Sequence, residues 1–118
     1  MIQTNAEWIA GNLFIRPHTM KDKGERIETH KHNFDHLTVV FKGSVHIKAK
    51  LPQGQEIESD FSAPGHPNGY SSHAVIKAGV EHEITALEPD TVFWCIYAHN
   101  TPQGTISQVY DGWHQAYI

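Results

Sequence analysis

Residues 30–43, His-Lys-His-Asn-Phe-Asp-His-Leu-Thr-Val-Val-Phe-Lys-Gly, combine a strand signal with a cluster of potential metal ligands. Leu37 to Phe41 is rich in β-branched and aromatic residues and runs into a turn at Lys42-Gly43-Ser44. Val45 to Lys50 then alternates with period two, as a half-buried strand does. On an extended chain His30 and His32 face the same way, roughly 6.5–7 Å apart, so their imidazoles can converge on one ion. His36 has the same parity, but on a straight strand it would lie about 13 Å from His32. The chain must therefore bend between them, and Asn33-Phe34-Asp35 supplies turn-tolerant residues for that bend. His36 then opens the next strand and returns towards the same ion.

The rest of the chain continues the pattern. Arg26 onwards is extended. Pro52-Gln53-Gly54-Gln55 is a turn, followed by a short strand over 56–59. The segment 62–72, rich in Gly, Pro, Ser and Asn, is expected to be the longest loop. Strands are expected at 74–77, 81–86 and 91–99, the last carrying the strongest signal, and a final one at 106–110. Leu87 to Asp90 is expected to be a tight hairpin connection. No stretch has sustained helical periodicity with caps. Many short, closely spaced strands predict an all-β sandwich or barrel.

The chain has 118 residues, room for one domain over 1–118. The formal net charge is −4 and no basic run is present, which argues against nucleic-acid and anionic-membrane partners. No apolar run approaches transmembrane length, residues 1–10 do not resemble a secretory signal, and the single cysteine, Cys95, has no intramolecular partner. A cytoplasmic protein is the expectation. A barrel this small buries a thin core, and with open sheet edges and an apolar tail at Trp113 to Ile118 it is expected to form a homodimer. The outlying number is histidine, ten residues against nine for lysine and arginine together.

His82 follows the Ala78-Gly79-Val80 turn on a separate strand and is placed to close the site from across the barrel. Imidazole suits iron, copper, nickel and zinc better than magnesium or calcium. The residues His30-x-His32, three further residues, His36, then six residues and Gly43 resemble the first motif of the cupin superfamily, in which glutamate usually stands at the third ligand position. Lys77-Ala78-Gly79-Val80-Glu81-His82 resembles the second, with lysine in place of proline. The resemblance spans about the middle half of the chain. It implies a jelly-roll barrel (a double-stranded β-helix) and a metal role for His30, His32, His36 and His82. A three-ligand site, with His36 facing substrate or standing behind a ligand, is the alternative for that residue. Surface or hydrogen-bonded core histidines are the plain reading of the whole set.

Of the remaining histidines, His18, His66 and His114 are expected in loops, and His46 and His99 on strands. His73 follows the long loop, within reach of the barrel mouth. With Leu87–Asp90 as a hairpin, Cys95 would face His82, and Phe93, Cys95 and Tyr97 would share the face of His82. Tyr97 is then a candidate to donate its hydroxyl to substrate. Glu28, with the parity of His30 and His32, is a candidate general base or tautomer-fixing partner. Packing for Tyr97 and solvent exposure for Glu28 are the plain alternatives, and for Cys95 a buried apolar role. The 62–72 loop, with Tyr70, is a candidate lid.

A four-histidine site keeps the full charge of a divalent ion and favours a small anionic, chelating ligand. With iron as first choice, or copper, nickel, manganese or zinc, that points to a dioxygenase acting on a diketone-like, enol or catechol-like substrate. Cupins with all-histidine ligand sets include oxygenases of that kind. A metal-dependent isomerase or lyase, or a module that binds a small molecule without turnover, are the alternatives.

Overall fold

The computed structural model describes residues 2–4, 8–10, 13–30 and 35–98, and for 2–4, 8–10 and 28–30 the backbone alone. The described residues form ten strands and no helix: β1 (Ile2–Thr4), β2 (Trp8–Ala10), β3 (Leu13–Met20), β4 (Arg26–His30), β5 (His36–Lys42), β6 (Ser44–Lys50), β7 (Glu56–Ser62), β8 (His73–Ile76), β9 (Glu81–Ala86) and β10 (Thr91–Ala98). They make two antiparallel sheets, one ordered β1-β3-β10-β5-β8 with β2 also on β3, the other β4-β9-β6-β7. This is the all-β jelly-roll architecture the sequence predicts. The expected strand at 106–110, the apolar tail, His99 and His114 lie outside the described residues.

Alternation within each strand builds the interior. His36, Thr38 and Val40 of β5 are buried, as are His82, Ile84 and Ala86 of β9. Phe93, Met20, Val40, Val45 and Ile84, none more than 1 % exposed, seal the barrel between the sheets. Gly43 makes the β5–β6 turn at φ 78°, where its Cα faces Thr91 across a gap with no space for a side chain. Only glycine combines that backbone conformation with that approach.

The connection Leu87–Asp90 is not a hairpin. β9 pairs with β4 and β6, whereas β10 pairs with β3 and β5, so these four residues carry the chain from one sheet to the other. Asp90 takes a left-handed φ of 56°, its N–H donates to the Lys21 carbonyl at 3.0 Å, and the Thr91 hydroxyl donates to the Glu88 carbonyl at 2.9 Å, which together fix the crossing. Cys95 consequently pairs with Arg16 and Thr38 and is not opposite His82. Phe93 and Cys95 still face inward, because alternation belongs to the strand and not to its partner.

The loop at 63–72 is not at the histidine end. The Ala63 N–H donates to the Gly43 carbonyl, and His66 Nε2 lies 2.9 Å from the Glu88 carboxylate, which also accepts from Ser44 Oγ at 2.7 Å. Those two contacts, Ser44 first, hold the Glu88 carboxyl below its ordinary range. The loop is thus tied down at the Gly43 end of β5, while His36 stands at the other end, and it does not serve as a lid over the histidines. His73 opens β8 opposite Val39, exposed and on the outer face, away from the barrel mouth.

Candidate metal centre

Three of the four predicted ligands lie on described backbone. His30 ends β4 and His82 lies on β9, directly paired with it in one sheet. His36 begins β5 in the other sheet. The chain between His30 and His36 therefore passes from one sheet to the other. His32 and the bend at Asn33-Phe34 lie outside the described residues, as does the side chain of His30.

His36 and His82 face each other across the interior. Both are buried, at 5 % and 2 % exposure, with ring centres 4.9 Å apart and ring planes at 53°. Two imidazoles bound to one ion through bonds of about 2.1 Å, at ordinary inter-ligand angles, place their ring centres roughly 4.5–5 Å apart. The pair fits one transition-metal ion. His82 Nδ1 lies 3.2 Å from the carbonyl oxygen of Val80. A carbonyl only accepts, so Nδ1 carries the proton and donates, and Nε2 is the unprotonated nitrogen of that tautomer. This is the backbone device that commonly orients a metal-binding histidine. Among the described residues no group of three or more potential ligands is assembled, so convergence of the full set depends on His30 and His32.

The turn before His82 is held by the residue before His36. Asp35 accepts a hydrogen bond from the Ala78 N–H at 2.8 Å and another from Lys77 Nζ at 3.1 Å. The Ala78 bond and then the Lys77 contact lower the Asp35 carboxyl from its ordinary value. Lys77, in the position of the motif proline, thus joins the two motif segments through a charge. Val80 is buried and Gly79 takes φ 80°, completing the turn.

The walls around the pair come from both sheets. Ala49 pairs with His82 and Ile76 with His36, so each histidine has an apolar cross-strand neighbour. Tyr97 stacks on Phe14, ring centres 5.3 Å apart and planes at 8°. That contact is a packing one. Cys95 packs against the core with Sγ 3.7 Å from Thr38 Oγ1, and burial pushes its thiol up, away from a reactive thiolate. β4 carries an irregularity: Ile27 pairs with Ile84 and His30 with His82, three residues against two. Glu28 and Thr29 lie within this irregular stretch of backbone. The Glu28 side chain lies outside the described residues.

Strand β3 contributes what the sequence reading missed. His18 is not in a loop. It is 6 % exposed within β3 and stacks on Phe93 with ring centres 5.0 Å apart. Phe14, Arg16, His18 and Met20 pair in turn with Tyr97, Cys95, Phe93 and Thr91. Their period-two spacing is visible in the sequence, but Pro17 in its middle obscures a strand. His46, by contrast, is half-buried on the outer face, with Nδ1 2.6 Å from Asp60 and Nε2 3.3 Å from Glu58.

No family model matches the sequence, and no curated protein matches it. Solved structures do. KdgF from Halomonas sp. superposes with a TM-score of 0.63 at 18 % identity, covering 86 % of this chain and 83 % of that one. A cupin superfamily protein from Desulfitobacterium hafniense gives 0.60 at 15 % identity, over 85 % and 79 %. Oxalate decarboxylase from Bacillus subtilis gives 0.65 at 16 % identity, covering 91 % of this chain but 32 % of that longer one. Another structure of the Bacillus enzyme, at 17 % identity, is described for its Mn(II) centres. The chain therefore has the cupin fold.

Proposed function

We propose that this cupin-fold chain binds one divalent transition-metal ion through His30, His32, His36 and His82, and uses it to hold a small anionic, chelating molecule. The observation that carries the reading is the buried His36–His82 pair, with the His82 ring oriented by the Val80 carbonyl. When bound, the ion supplies positive charge and open coordination positions. The chain's own contribution is to hold neutral imidazoles at a fixed spacing, to exclude water with Ala49, Ile76 and the core beneath, and to keep Asp35 clamped to the turn before His82. Glu28 is retained as the candidate general base and Tyr97 as a candidate donor to substrate.

The leading activity is a dioxygenase acting on a diketone-like, enol or catechol-like substrate, with iron as the metal. Oxygen uptake by iron-loaded protein in the presence of such compounds tests it. Turnover without oxygen uptake would favour the isomerase or lyase reading instead. The likeness to oxalate decarboxylase and its Mn(II) centres supports a manganese-dependent lyase as the second reading. A ligand-induced thermal shift without product would mark a non-catalytic binding module.

His36 in the usual glutamate position makes the site more positive by one charge. His36→Glu is expected to retain metal and to lose about tenfold or more in affinity for anionic chelators, because the lost attraction acts in a low-dielectric interior. A neutral chelator should be affected far less. Titration of both proteins at matched metal occupancy checks this, and unchanged anion affinity would remove the argument for an anionic substrate.

Homodimerisation belongs to the same proposal. β7 and β8 are edge strands of their sheets, and Ile57 and Val75 on them are 49 % and 63 % exposed. A second copy covering such edges would remove exposed backbone and apolar surface from water. Light scattering is expected to give twice the chain mass at micromolar concentration, and a monomer alone would contradict it. No helix among the described residues is long and apolar enough to cross a membrane. Cytoplasmic residence is the reading that accompanies a lone cysteine.

A further inference from the structure

β7 ends one sheet and β8 ends the other, and among the described residues no ladder joins them. The barrel is therefore open along this side, and a cleft of about 270 Å³ lies between the two strands. Its floor is β6, through Ile47 and Ala49. One wall is β7, through Ile57 and Phe61, and the other is β8, through Ala74 and Ile76. Alternation puts these side chains on the inner faces. Ile57 pairs with Ala49, and Ala74 and Ile76 pair with the buried Thr38 and His36. Ile47, Ile76 and Val80 are buried at its depth, whereas Ile57 at its mouth is 49 % exposed.

The lining decides what can occupy it. Two charged residues border the cleft, Glu58 and Lys77, and both are engaged elsewhere. Glu58 Oε1 lies 3.3 Å from His46 Nε2, and Lys77 Nζ lies 3.1 Å from the Asp35 carboxylate. An ionic headgroup would thus be buried against apolar walls without a counter-charge, which is costly. A peptide strand fits no better, since main-chain N–H and C=O groups lodged among these side chains would lack partners. Ser59, the inward residue between Ile57 and Phe61, is the one uncharged polar residue of the lining. It suits a ligand with a single hydrogen-bonding group. An apolar cavity of about 150 Å³ holds one benzene, so this cleft matches roughly two fused rings.

We propose that the cleft between β7 and β8 is a binding site for an uncharged, apolar ring compound. The site is built from other side chains than the histidines and does not depend on the metal-centre reading.

The test is calorimetric titration of metal-free protein with indole and with indole carboxylate, the same ring system carrying a charge. The wild type is expected to bind one indole per chain, and to bind the carboxylate about tenfold or more weakly. Ile57→Asp places a charge at the mouth, at a position exposed enough to leave folding intact. It is expected to weaken indole binding by about tenfold or more. Ala74→Phe fills the cleft from β8 and is expected to abolish binding, with circular dichroism confirming that both variants fold. No saturable binding of indole by the wild type, equal affinity for the two probes, or unchanged indole affinity in folded Ile57→Asp would overturn the proposal. So would a wild-type dimer that takes up no indole and becomes monomeric as Ile57→Asp, because a second copy would then occupy the cleft. Metal is absent throughout, so failure here is distinct from failure of the histidine site.

Discussion

Replacing His82 by alanine is expected to weaken binding of a divalent transition metal by more than about 100-fold, beyond what loss of a residue that merely orients a ligand costs. The side chain is 2 % exposed, its ring centre is 4.9 Å from that of His36, and its Nδ1 proton is committed to the Val80 carbonyl. Its neighbours across the strands are Ala49, which carries no ligand atom, and His30, which is itself a proposed ligand. The cavity left behind also removes buried contacts, so some loss of stability accompanies the loss of metal. His46→Ala is the control. His46 is on the outer face of the β4-β9-β6-β7 sheet, paired with Asp60, and its removal should leave metal affinity unchanged. Equilibrium dialysis of the three proteins against cobalt or manganese, with circular dichroism to confirm folding, reads the result. Equal metal affinity in wild type and His82→Ala would exclude His82 as a ligand.

The second large effect concerns folding. Gly43→Ala is expected to destabilise the protein by about 2–5 kcal/mol, the sum of a left-handed backbone penalty and an overpacking penalty. A Cβ at this position would lie 2.5 Å from Thr91 Oγ1 and 3.1 Å from Thr91 Cα, and backbone cannot step aside cheaply. Thr91 itself is fully buried and begins β10. Gly54→Ala separates the two causes. Gly54 has φ 96° with nothing within 4 Å, so it incurs the backbone penalty of about 1–2 kcal/mol without the clash. Urea unfolding of both variants gives the difference, and equal losses would mean that the approach of Gly43 to Thr91 is unimportant. The expected loss is a large fraction of a typical domain's total stability.

These two positions illustrate what the sequence makes legible. The strands from β5 to β10 follow from period-two alternation and from the turns between them, and each of those signals is local. Gly43 is legible for the same reason, as a turn residue, although its contact with Thr91 is not. What local patterns do not contain is the partner of each strand. Leu87-Glu88-Pro89-Asp90 has the length and composition of a hairpin, and only the sheet assignments of β9 and β10 make it a crossing. The hairpin register that grouped Phe93, Cys95 and Tyr97 with His82 does not hold, yet Phe93 and Cys95 still pack into the core, because their shared face follows from alternation along β10.

Departures from regularity account for the rest. The bulge between Ile27 and His30 inserts one residue into the β4–β9 pairing, and no residue in that segment announces it. Pro17 makes β3 unlike an interior strand, yet it sits there between β10 and the short strands β1 and β2. With β3 unread, His18 is misplaced in a loop. Lysine in place of the motif proline removes a ring that would stiffen the turn. The structure instead gives it a contact with Asp35 beside His36, a pairing across 42 residues that spacing alone does not reveal.

The central claim is that one ion is held by imidazoles between the two sheets. It is tested most directly by titrating metal-free wild-type protein with cobalt while following the visible ligand-field absorption of the bound ion. The account predicts one saturable site per chain with a spectrum characteristic of nitrogen ligation, and its disappearance in a His36→Ala, His82→Ala double variant that remains folded. Absence of saturable binding in the wild type, or an unchanged spectrum and stoichiometry in the double variant, would contradict it.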